Sequence, residues 1–310
     1  MLPGTGSRPR FTVLASGLGW HIQDLQRAAE VVGVELTVRP FESLAMSIGA
    51  NRSDRSGGGI WAEGLNLADQ DAVLVRMMPP AGLEPVVFRM DALHRLVDTG
   101  VPVVNPPRTV EMAVDKALSL ARLAGAGIAV PQSWVGERAD DALAAFDRLG
   151  GDVVIKPVFG SEGRGLVRVT DRESCWRVMH ALQRIGSVLY LQAFVPNDGW
   201  DLRVFLLGGE IVAAMRRIAA PTDWRANVSQ GARSEAWPVV PEEVRAIVED
   251  VSRVIGGMIL GVDLIRDHEG RWLVLEVNGV PGWRAISTVT GIDIAAAWLA
   301  AVCRSIGARP

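Results

Sequence analysis

The chain has 310 residues, of which 49% are hydrophobic, and its acidic and basic residues nearly balance at a net charge of -3. This length predicts two or three compact units rather than one small domain. The near-neutral charge excludes partners held by bulk electrostatics, so we expect neither nucleic acid nor a membrane surface. The longest apolar runs are shorter than a membrane-spanning helix requires, and residues 1–10 lack the apolar segment of a signal peptide, which predicts a cytoplasmic protein.

The cysteines and histidines predict no metal or hydrolytic chemistry of the common kinds. Cys175 and Cys303 lie far apart in apolar helical patterns, which favours buried structural thiols over a disulfide. The four histidines show no HExxH spacing and have no cysteine partners, so a zinc site is not expected. No GxSxG motif occurs, so that class of hydrolase has no support.

Residues 1–110 alternate between predicted strands and helices, which indicates a small parallel α/β domain. Residues 47–59 are rich in Gly, Ser and Arg and predict a surface insertion, either an idle loop or a segment that orders over a ligand. Gly17 and Gly19 form half of a dinucleotide fingerprint, but its third glycine and its ribose-binding acid are missing, which disfavours a nicotinamide or flavin site. The predicted strands are FTVLAS, VELTVRP, DAVLVRMM and VPVVNP, and the predicted helices are IQDLQRAAEVVG and EPVVFRMDALHRLVDTG.

The pattern of strands and helices in residues 111–195 predicts a second unit. The segment TVEMAVDKALSLARLAGAG predicts one helix, which passes to a strand before Pro131. The rest of the unit alternates between the two kinds of element. It comprises the helix DALAAFDRL, the strands DVVIKPV and LVRVT on either side of the glycine-rich segment GSEGRG, a helix near 172–185 and the strand VLYLQAFV.

Residues 196–310 predict a third unit, which is built on antiparallel hairpins. The segment DLRVFLLGGEIVAAMRR predicts two strands joined by a two-residue turn at Gly208 and Gly209. A helix at 241–257, the strands GVDLIRD and RWLVLEVN, and a closing helix from about Asp293 complete the chain.

An acid inside an apolar strand marks a candidate metal site. Glu276 interrupts the run WLVLEV, and Asn278 follows on the same strand face. Pairing across the terminal hairpin places Asp263 opposite either Glu276 or the residue two positions before it, so the three oxygen-bearing side chains share one face. Buried carboxylates need a counter-charge, and this donor set suits Mg²⁺. The alternative is that the acids pair with arginines such as Arg266 or Arg284.

A lysine followed by a glycine-rich loop marks a candidate phosphate site. Lys156 lies on a predicted strand, four residues before a loop that contains Gly160, Ser161, Gly163 and Gly165. Glycines let backbone amides approach phosphate oxygens closely. The order of lysine and glycines differs from a GxxxxGK[ST] loop, so a plain flexible turn is the alternative.

Five further basic residues accompany these motifs. Lys116, taken alone, is a solvated helix lysine. Arginine suits the forked binding of phosphate or carboxylate, so several arginines near a metal indicate an anionic substrate. Arg216 points away from Arg217 on the same strand and is the first to be excluded from the group that binds the anion. The arginines are Arg203, Arg216, Arg217 and Arg225.

The order of these motifs resembles the ATP-grasp ligases, and among them the RimK-like α-L-glutamate ligases. The resemblance implies an α/β and α+β fold in which two α+β subdomains clasp ATP, preceded by the small parallel α/β domain of residues 1–110. The implied subdomains are 111–195, with the glycine-rich loop, and 196–310, with the metal site. The matches lie between about residue 100 and residue 305 and comprise Lys116, Lys156 with GSEGRG, LQAFV, DLRVFLLGGEIVAAMRR, WRAN, GVDLI and LEVNGVPGWRAISTVTGIDIA.

The resemblance implies an ATP-binding role for three groups of residues. Lys116, Lys156 and the loop residues Gly160, Ser161, Gly163 and Gly165 would contact the nucleotide phosphates. The adenine would lie beside the QAFV segment, and Asp201 would face the ribose. The WRAN segment would also reach the phosphates. The residues of these two segments are Gln192, Ala193, Phe194 and Val195, and Arg225, Ala226 and Asn227.

The resemblance also implies the metal ligands and the catalytic residues. Asp263, Glu276 and Asn278 would hold two Mg²⁺, with Mn²⁺ as an alternative ion. Arg203 and Arg217 would act on the γ-phosphate and on an acyl phosphate.

The implied activity is that of an ATP-dependent carboxylate–amine ligase, which acts through an acyl phosphate. L-glutamate would be added to an acceptor carboxylate on a tetrahydromethanopterin-type or methylofuran-type cofactor or at a protein C-terminus. A kinase or phosphotransferase, or a ligase of another amino acid, is the alternative on the same site. Glutamate would need a basic contact, for which Arg76 and Arg284 are candidates, and Trp283 would shape the acceptor pocket. A homo-oligomer is one option for the assembly.

Overall fold

The computed structural model describes residues 8–49, 59–160 and 163–308. Its N-terminal part contains a four-stranded parallel sheet in the order β2-β1-β6-β7. Strand β1 is buried along almost its whole length, as its apolar run predicts for a sheet covered on both faces. The elements of this part are β1 (Arg10–Ala15), α1 (Trp20–Val32), β2 (Glu35–Pro40), β3 (Leu44–Met46), β4 (Ile60–Ala62), β5 (Leu65–Asn66), β6 (Ala72–Val75), α2 (Leu83–Asp98) and β7 (Val103–Val104).

A small antiparallel sheet, β3-β4-β5, lies beside the parallel one and was not predicted. Its strands have only two or three residues, which is too short for a periodic pattern to emerge. The predicted insertion at 47–59 connects β3 to β4, and the Ser47 amide donates to the Gly59 carbonyl at 3.0 Å. Residues 50–58 lie outside the described residues, so the prediction about that loop stays a prediction.

The middle of the chain forms a four-stranded antiparallel sheet in the order β10-β9-β11-β8, and helices α5 and α6 pack against each other and against its strands. Its core is separate from those of the other sheets and includes Phe146, Ile155 and Leu191. The elements here are α3 (Pro107–Val114), α4 (Lys116–Gly125), β8 (Ser133–Gly136), α5 (Ala139–Arg148), β9 (Val153–Ile155), β10 (Val167–Val169), α6 (Arg172–Arg184) and β11 (Leu189–Ala193).

Two predictions for this part were wrong. The single helix before Pro131 is two helices, because the Asp115 carboxylate accepts hydrogen bonds from the amides of Ala117 and Leu118 and starts a new helix there. The strand expected before Pro131 begins after it, at Ser133. The segment before Pro131 instead runs alongside the C-terminal sheet, where the Ala129 carbonyl accepts from the Val274 amide at 2.9 Å.

The C-terminal part is a five-stranded antiparallel sheet in the order β14-β13-β12-β15-β16. Gly208 and Gly209 both adopt positive φ, 58° and 89°, and join β12 to β13 as the predicted two-residue turn. The elements are β12 (Trp200–Leu207), β13 (Glu210–Ile218), β14 (Arg233–Ala236), α7 (Glu242–Ile255), β15 (Ile259–Arg266), β16 (Trp272–Asn278), α8 (Arg284–Thr290) and α9 (Ile294–Ser305).

The N-terminal and C-terminal parts share one hydrophobic core. Helix α9 packs against α1, and Trp298 of α9 lies in the same buried cluster as Phe11 of β1 and Phe205 of β12. The middle sheet has a core of its own, although Tyr190 of β11 lies in a cluster with residues of the C-terminal sheet. In the described residues no single helix is long and apolar enough to cross a membrane; α8 and α9, bent by 107°, pass that test only as a pair and only by length and composition.

Asn105 ties the parallel sheet to the C-terminal one. Its side chain follows β7 and is buried, with 1% of the residue exposed. The side-chain amide donates to the carbonyls of Ile259 and Gly279 at 2.6 and 2.7 Å, and its oxygen accepts from the amides of Met258 and Ile259 at 2.7 and 3.0 Å. These four bonds use both donors and both lone pairs of the side chain.

We expect Asn105→Ala to lower the free energy of unfolding by roughly 3 kcal/mol, because it leaves buried backbone groups without partners. Asn66→Ala is the control, since Asn66 makes one exposed capping bond to the Ala68 amide and its loss costs about 1 kcal/mol. Urea unfolding followed by circular dichroism measures both. Equal effects of the two substitutions would contradict this view of Asn105.

Candidate active site

A pocket lies between the middle sheet and the C-terminal sheet and collects most of the residues predicted for ATP. Its walls come from β9 and β11 on one side, from β12, β13, β15 and β16 on the other, and from the glycine-rich loop and the segment before β14. The predicted residues that line it are Lys116, Lys156, Gly160, Gly163, Gln192, Ala193, Phe194, Val195, Asp201, Arg217, Arg225, Ala226, Asn227, Asp263 and Glu276.

Lys156 presents a buried ammonium group to this pocket. The strand DVVIKPV was predicted to continue to Val158, but β9 ends at Ile155, so Lys156 follows the strand directly. Its Nζ donates to Gln192 Oε1 at 2.6 Å, and the Gln192 amide in turn donates to Ser133 Oγ and Tyr190 Oη. Burial lowers the pKa of Lys156 to about 8, opposed by the nearby charge of Glu276. The side chain is therefore mostly cationic at neutral pH and is held in place by a neutral partner.

Lys116 also belongs to the site, although the sequence alone made it a solvated helix lysine. It begins α4, and 11% of its side chain is exposed. Its Nζ donates to Glu276 Oε1 at 3.0 Å and to the Gly160 carbonyl at 2.5 Å. One ammonium group thus bridges the glycine-rich loop and the acidic strand. A contact across 160 residues of sequence leaves no local pattern from which to predict it.

Asp263 and Glu276 are directly opposite each other on β15 and β16, which settles the two registers that the sequence left open. The pairing shifts by a bulge immediately after Asp263. Asp263 forms a two-pronged ion pair with Arg203, in which Nη2 donates to Oδ2 at 2.7 Å and Nε donates to Oδ1. Arg217 lies 3.1 Å from the same Oδ2 and forms a second two-pronged pair with Asp201 at 2.7 and 2.6 Å.

These ion pairs determine the direction in which the pKa of Asp263 shifts. Burial alone would raise the pKa of Asp263, but Arg203 and Arg217 outweigh burial and hold that pKa below its ordinary value. Arg266 and Arg284, the partners considered from sequence, make no ion pair with Asp263 or Glu276 among the described residues. Arg164 and Arg225 also line the pocket, and the ion pairs together with Lys156 comprise four cationic side chains and three acidic ones, an excess that favours an anion. They are Lys116, Lys156, Arg203 and Arg217, and Asp201, Asp263 and Glu276.

The donors on the terminal hairpin suit a magnesium ion. Asp263, Glu276 and Asn278 share one face, and Asn278 is opposite Gly261, which has no side chain to compete for that space. Two carboxylates and an amide are hard oxygen donors of the type that Mg²⁺ takes together with water and phosphate. Among the described residues no group of three His, Cys, Asp or Glu side chains could hold a metal. A metal here would therefore depend on the amide and on oxygens from a ligand.

The opposite end of the pocket is aromatic and apolar. Phe194 and Trp224 meet edge to face with ring centroids 6.0 Å apart, and the Arg168 guanidinium lies 3.4 Å from the Phe194 centroid. Arg225 of the predicted set pairs with Asp223 at 2.8 Å. The apolar lining was not predicted, because an apolar strand or loop residue that faces a pocket looks the same in sequence as one that faces a core. The missed residues include Val154, Leu166, Trp224, Ile265 and Leu275.

The glycine-rich loop closes against the WRAN segment. Gly163 has φ 71°, and a Cβ placed on it would overlap the Asn227 side chain, so the backbone conformation and the close approach both favour glycine here. Of the remaining predicted residues, Gly165, Arg203 and Asn278 do not line the pocket, although Arg203 contacts Asp263. Ser161 lies outside the described residues. Arg216 pairs with Glu235, as expected of the arginine that was set aside.

The fold is that of the ATP-grasp ligases. A solved structure of the ATP-grasp ligase PsnB complexed with minimal precursor, Mg and ADP matches with a TM-score of 0.72 at 20% identity and covers 96% of this chain and 98% of that chain. The predicted fold class is confirmed. The model of the RimK-like ATP-grasp domain matches residues 113–302, and the chain belongs to this family. The boundaries 1–110, 111–195 and 196–310 stay predictions.

Relatives of known name are glutamate ligases. The chain is 32% identical to the tetrahydromethanopterin:alpha-L-glutamate ligase of Methanosarcina acetivorans over 73% of this chain and 78% of that protein. It is 31% identical to a probable alpha-L-glutamate ligase of Aliivibrio fischeri over 87% of both proteins. The protein is thus an enzyme, an ATP-dependent carboxylate–amine ligase, and this main prediction is favoured over the kinase alternative.

The lowered pKa of Lys156 predicts that nucleotide affinity decreases above about pH 8. The ammonium form of the free protein is lost as the pH rises through that value. A bound phosphate stabilises the charged form, so affinity decreases by up to about tenfold per pH unit once free Lys156 is neutral. Titration calorimetry with a non-hydrolysable ATP analogue and Mg²⁺ measures this decrease.

Two variants serve as controls for the Lys156 prediction. Lys156→Arg stays charged over the whole range, so it keeps affinity without the decrease above pH 8. Lys156→Gln binds weakly at every pH. A wild-type affinity that is constant across this range would contradict the assignment of Lys156 to the phosphates.

Proposed function

We propose that this ligase adds L-glutamate to an acceptor carboxylate on a pterin-type or furan-type one-carbon carrier, with a protein C-terminus as the other acceptor class. The observation that carries the proposal is the gathering of Lys116, Lys156 and the Asp263–Glu276 pair in one pocket. Relatives named as glutamate ligases over most of their length support glutamate as the amine substrate. The naming of one relative after tetrahydromethanopterin supports the carrier class.

The cations of the pocket account for the first step, in which ATP phosphorylates the acceptor carboxylate. Phosphoryl transfer needs little covalent help from protein, so it depends on positioning and on charge around the moving group. Lys116 and Lys156 hold phosphate oxygens, and Arg203 and Arg217 stabilise the charge that develops on the γ-phosphate and the acyl phosphate. The bond from the γ-phosphorus to ADP breaks as the bond to the carboxylate oxygen forms.

Magnesium completes this charge balance. Asp263, Glu276 and Asn278 would hold two Mg²⁺, for which Mn²⁺ would substitute. These ions would neutralise the phosphate oxygens and polarise the transferred group. The acids can serve this role because each carries a charge that arginine or lysine compensates before the nucleotide binds.

The second step needs no dedicated base. The glutamate amine attacks the acyl carbon as a neutral nucleophile, inorganic phosphate leaves, and the amine proton passes to solvent or phosphate. Holding the two groups close accounts for the rate. The adenine lies at the aromatic end beside Phe194 and Trp224, and Asp201 stays near the ribose while paired with Arg217. The cytoplasmic location and a homo-oligomeric assembly also stay predictions.

Transfer of glutamate tests the proposal directly. Purified protein is incubated with ATP, Mg²⁺, isotope-labelled L-glutamate and a small-molecule extract of cells, and the products are analysed by mass spectrometry. We expect an acceptor that gains one labelled glutamyl residue, together with ADP and phosphate released only when both substrates are present. Transfer of a phosphoryl group without glutamate would support a kinase instead. Transfer of another amino acid would correct the substrate.

Glu276→Gln tests the charged donor on β16. The substitution keeps the shape of the side chain but removes a ligand charge, so we expect turnover to decrease by at least about 100-fold. Glu269→Gln is the matched control on the same hairpin, because Glu269 is exposed and pairs only with Arg271 among the described residues. Circular dichroism checks that both variants fold. Turnover near the wild-type rate in Glu276→Gln would refute the metal assignment.

A further inference from the structure

A buried arginine lies outside the ATP pocket, at the carboxyl end of the parallel sheet. Arg76 directly follows β6, and its amide donates to the Leu14 carbonyl of β1 at 2.9 Å. The residue is 6% exposed. Its guanidinium lies over the rings of Trp283 and Trp298, 4.5 and 5.7 Å from their centroids. Ligands of open α/β sheets bind at this end of the strands.

The charge of Arg76 has no counter-ion among the described residues. Nη2 donates to the Pro281 carbonyl at 3.2 Å, while Nη1 is buried and has no hydrogen-bond partner. Arg39 and Arg216 also bury a nitrogen without a partner, but each of them still pairs with an acid, Glu63 or Glu235. A buried cation without an anion is costly, so such a group is a strong candidate for contact with a ligand.

Arg76 nevertheless keeps its charge. Burial lowers its pKa to about 9, which is still above neutral pH. Indole rings around a guanidinium replace only part of the hydration free energy that it loses on burial. A carboxylate that binds Arg76 therefore gains more free energy than one that binds an exposed arginine.

The surroundings of Arg76 also favour an anion. Arg284, at the start of α8, is exposed and lies over the Trp20 ring. The Trp283 amide donates to His21 Nε2 at 3.1 Å, and burial, with help from Arg76, lowers the pKa of His21 to about 4, so this ring is neutral. Asp24, the acid of α1 that interacts with His21, is engaged by Trp283 Nε1 at 2.8 Å and by Arg27.

The rim of this region is open to solvent. Residues 16–19 between β1 and α1 are exposed, as is Gly282. Helix α1 begins at this rim behind Gly19, with no capping side chain and no acid in its first turn. Its amino-terminal amides therefore add a positive potential to that of the two arginines.

The loop after β16 links this region to the reaction centre. The Pro281 carbonyl accepts from Arg76, and the Pro281 ring packs where a side chain on Gly261 would project, next to Arg203. One proline therefore separates the unpaired guanidinium from the arginine that pairs with Asp263. The other arginines of the centre, Arg203 and Arg217, are already occupied by carboxylates, which leaves Arg76 to meet a further one.

We propose that Arg76, with Arg284 at the rim, binds a carboxylate of the L-glutamate substrate and so selects the amine. This inference rests on the proposed function, in which glutamate is the nucleophile. Binding forms ionic hydrogen bonds between the carboxylate oxygens and the guanidinium nitrogens, and no covalent bond changes. The indoles of Trp283 and Trp298, which meet edge to face, flank the guanidinium and hold it in place.

Calorimetric titration of L-glutamate tests the proposal with the full chain, Mg²⁺ and a non-hydrolysable ATP analogue. We expect Arg76→Met to weaken L-glutamate binding by about tenfold or more, since a charge-assisted contact is lost, while affinity for the ATP analogue stays unchanged. The apparent KM for glutamate in the labelled-transfer assay gives the same comparison in the presence of acceptor. Arg76→Met should not lower the thermal midpoint of unfolding, because it removes an unpaired buried charge.

Arg89→Met is the matched control. Arg89 is also 6% exposed and donates to a proline carbonyl, that of Pro79 at 2.9 Å, but none of its nitrogens is buried without a partner. We expect this variant to bind L-glutamate as the wild type does.

Two analogues of glutamate reveal a role in selection that a purely structural residue would not have. L-isoglutamine lacks the α-carboxylate and L-glutamine lacks the γ-carboxylate. The wild type should discriminate against the analogue whose missing carboxylate meets Arg76, and Arg76→Met should lose that discrimination. Wild-type glutamate affinity in Arg76→Met would overturn the inference and leave the proposed function intact. A wild type that binds the ATP analogue but neither binds nor transfers glutamate would overturn both.

Discussion

The ion pair between Asp263 and Arg203, extended by Arg217 and Asp201, is the interaction on which the site depends. It buries two acids and two arginines across three adjacent strands of the C-terminal sheet, so each charge is tolerated only because the others are present. Removing one member would leave an uncompensated charge. The same network presents Asp263 beside Glu276 on the face that meets the glycine-rich loop. The same ion-pair network therefore stabilises the sheet and positions the acids of the site.

The distribution of the hydrophobic cores explains how the pocket can take a large ligand. The N-terminal and C-terminal parts share a core and are tied by Asn105, which makes them one platform. The middle sheet has its own core, and at the site Lys116 joins the Gly160 carbonyl of the glycine-rich loop to Glu276 of the platform. A nucleotide between the two would contact both parts at once. Binding is thus expected to order the middle sheet relative to the platform.

Sequence reasoning was most successful where local rules suffice. Alternation of side chains and the two possible hairpin registers placed Asp263, Glu276 and Asn278 on one face, and two glycines fixed the β12–β13 turn. Long-range pairing was not accessible in this way. The partners of the acids proved to be Arg203, Arg217 and Lys116 rather than Arg266 or Arg284, because sheet order rather than sequence distance decides which strands are neighbours. Short strands such as β5, and the lack of an acidic partner for Arg76 among the described residues, likewise appear only once the chain is folded.

The placement of the lysines has a practical consequence. The sequence contains only two lysines, Lys116 and Lys156, against thirty arginines, and both line the same pocket. Amine-directed acylation of side chains can therefore occur nowhere else on the folded surface, and a nucleotide would shield both targets at once. A peptide map of acylated lysine would report occupancy of this enzyme without any need to know its acceptor. An acyl phosphate that persisted in the pocket would acylate one of these two lysines. Rapid attack by the substrate amine therefore also protects the enzyme from self-modification.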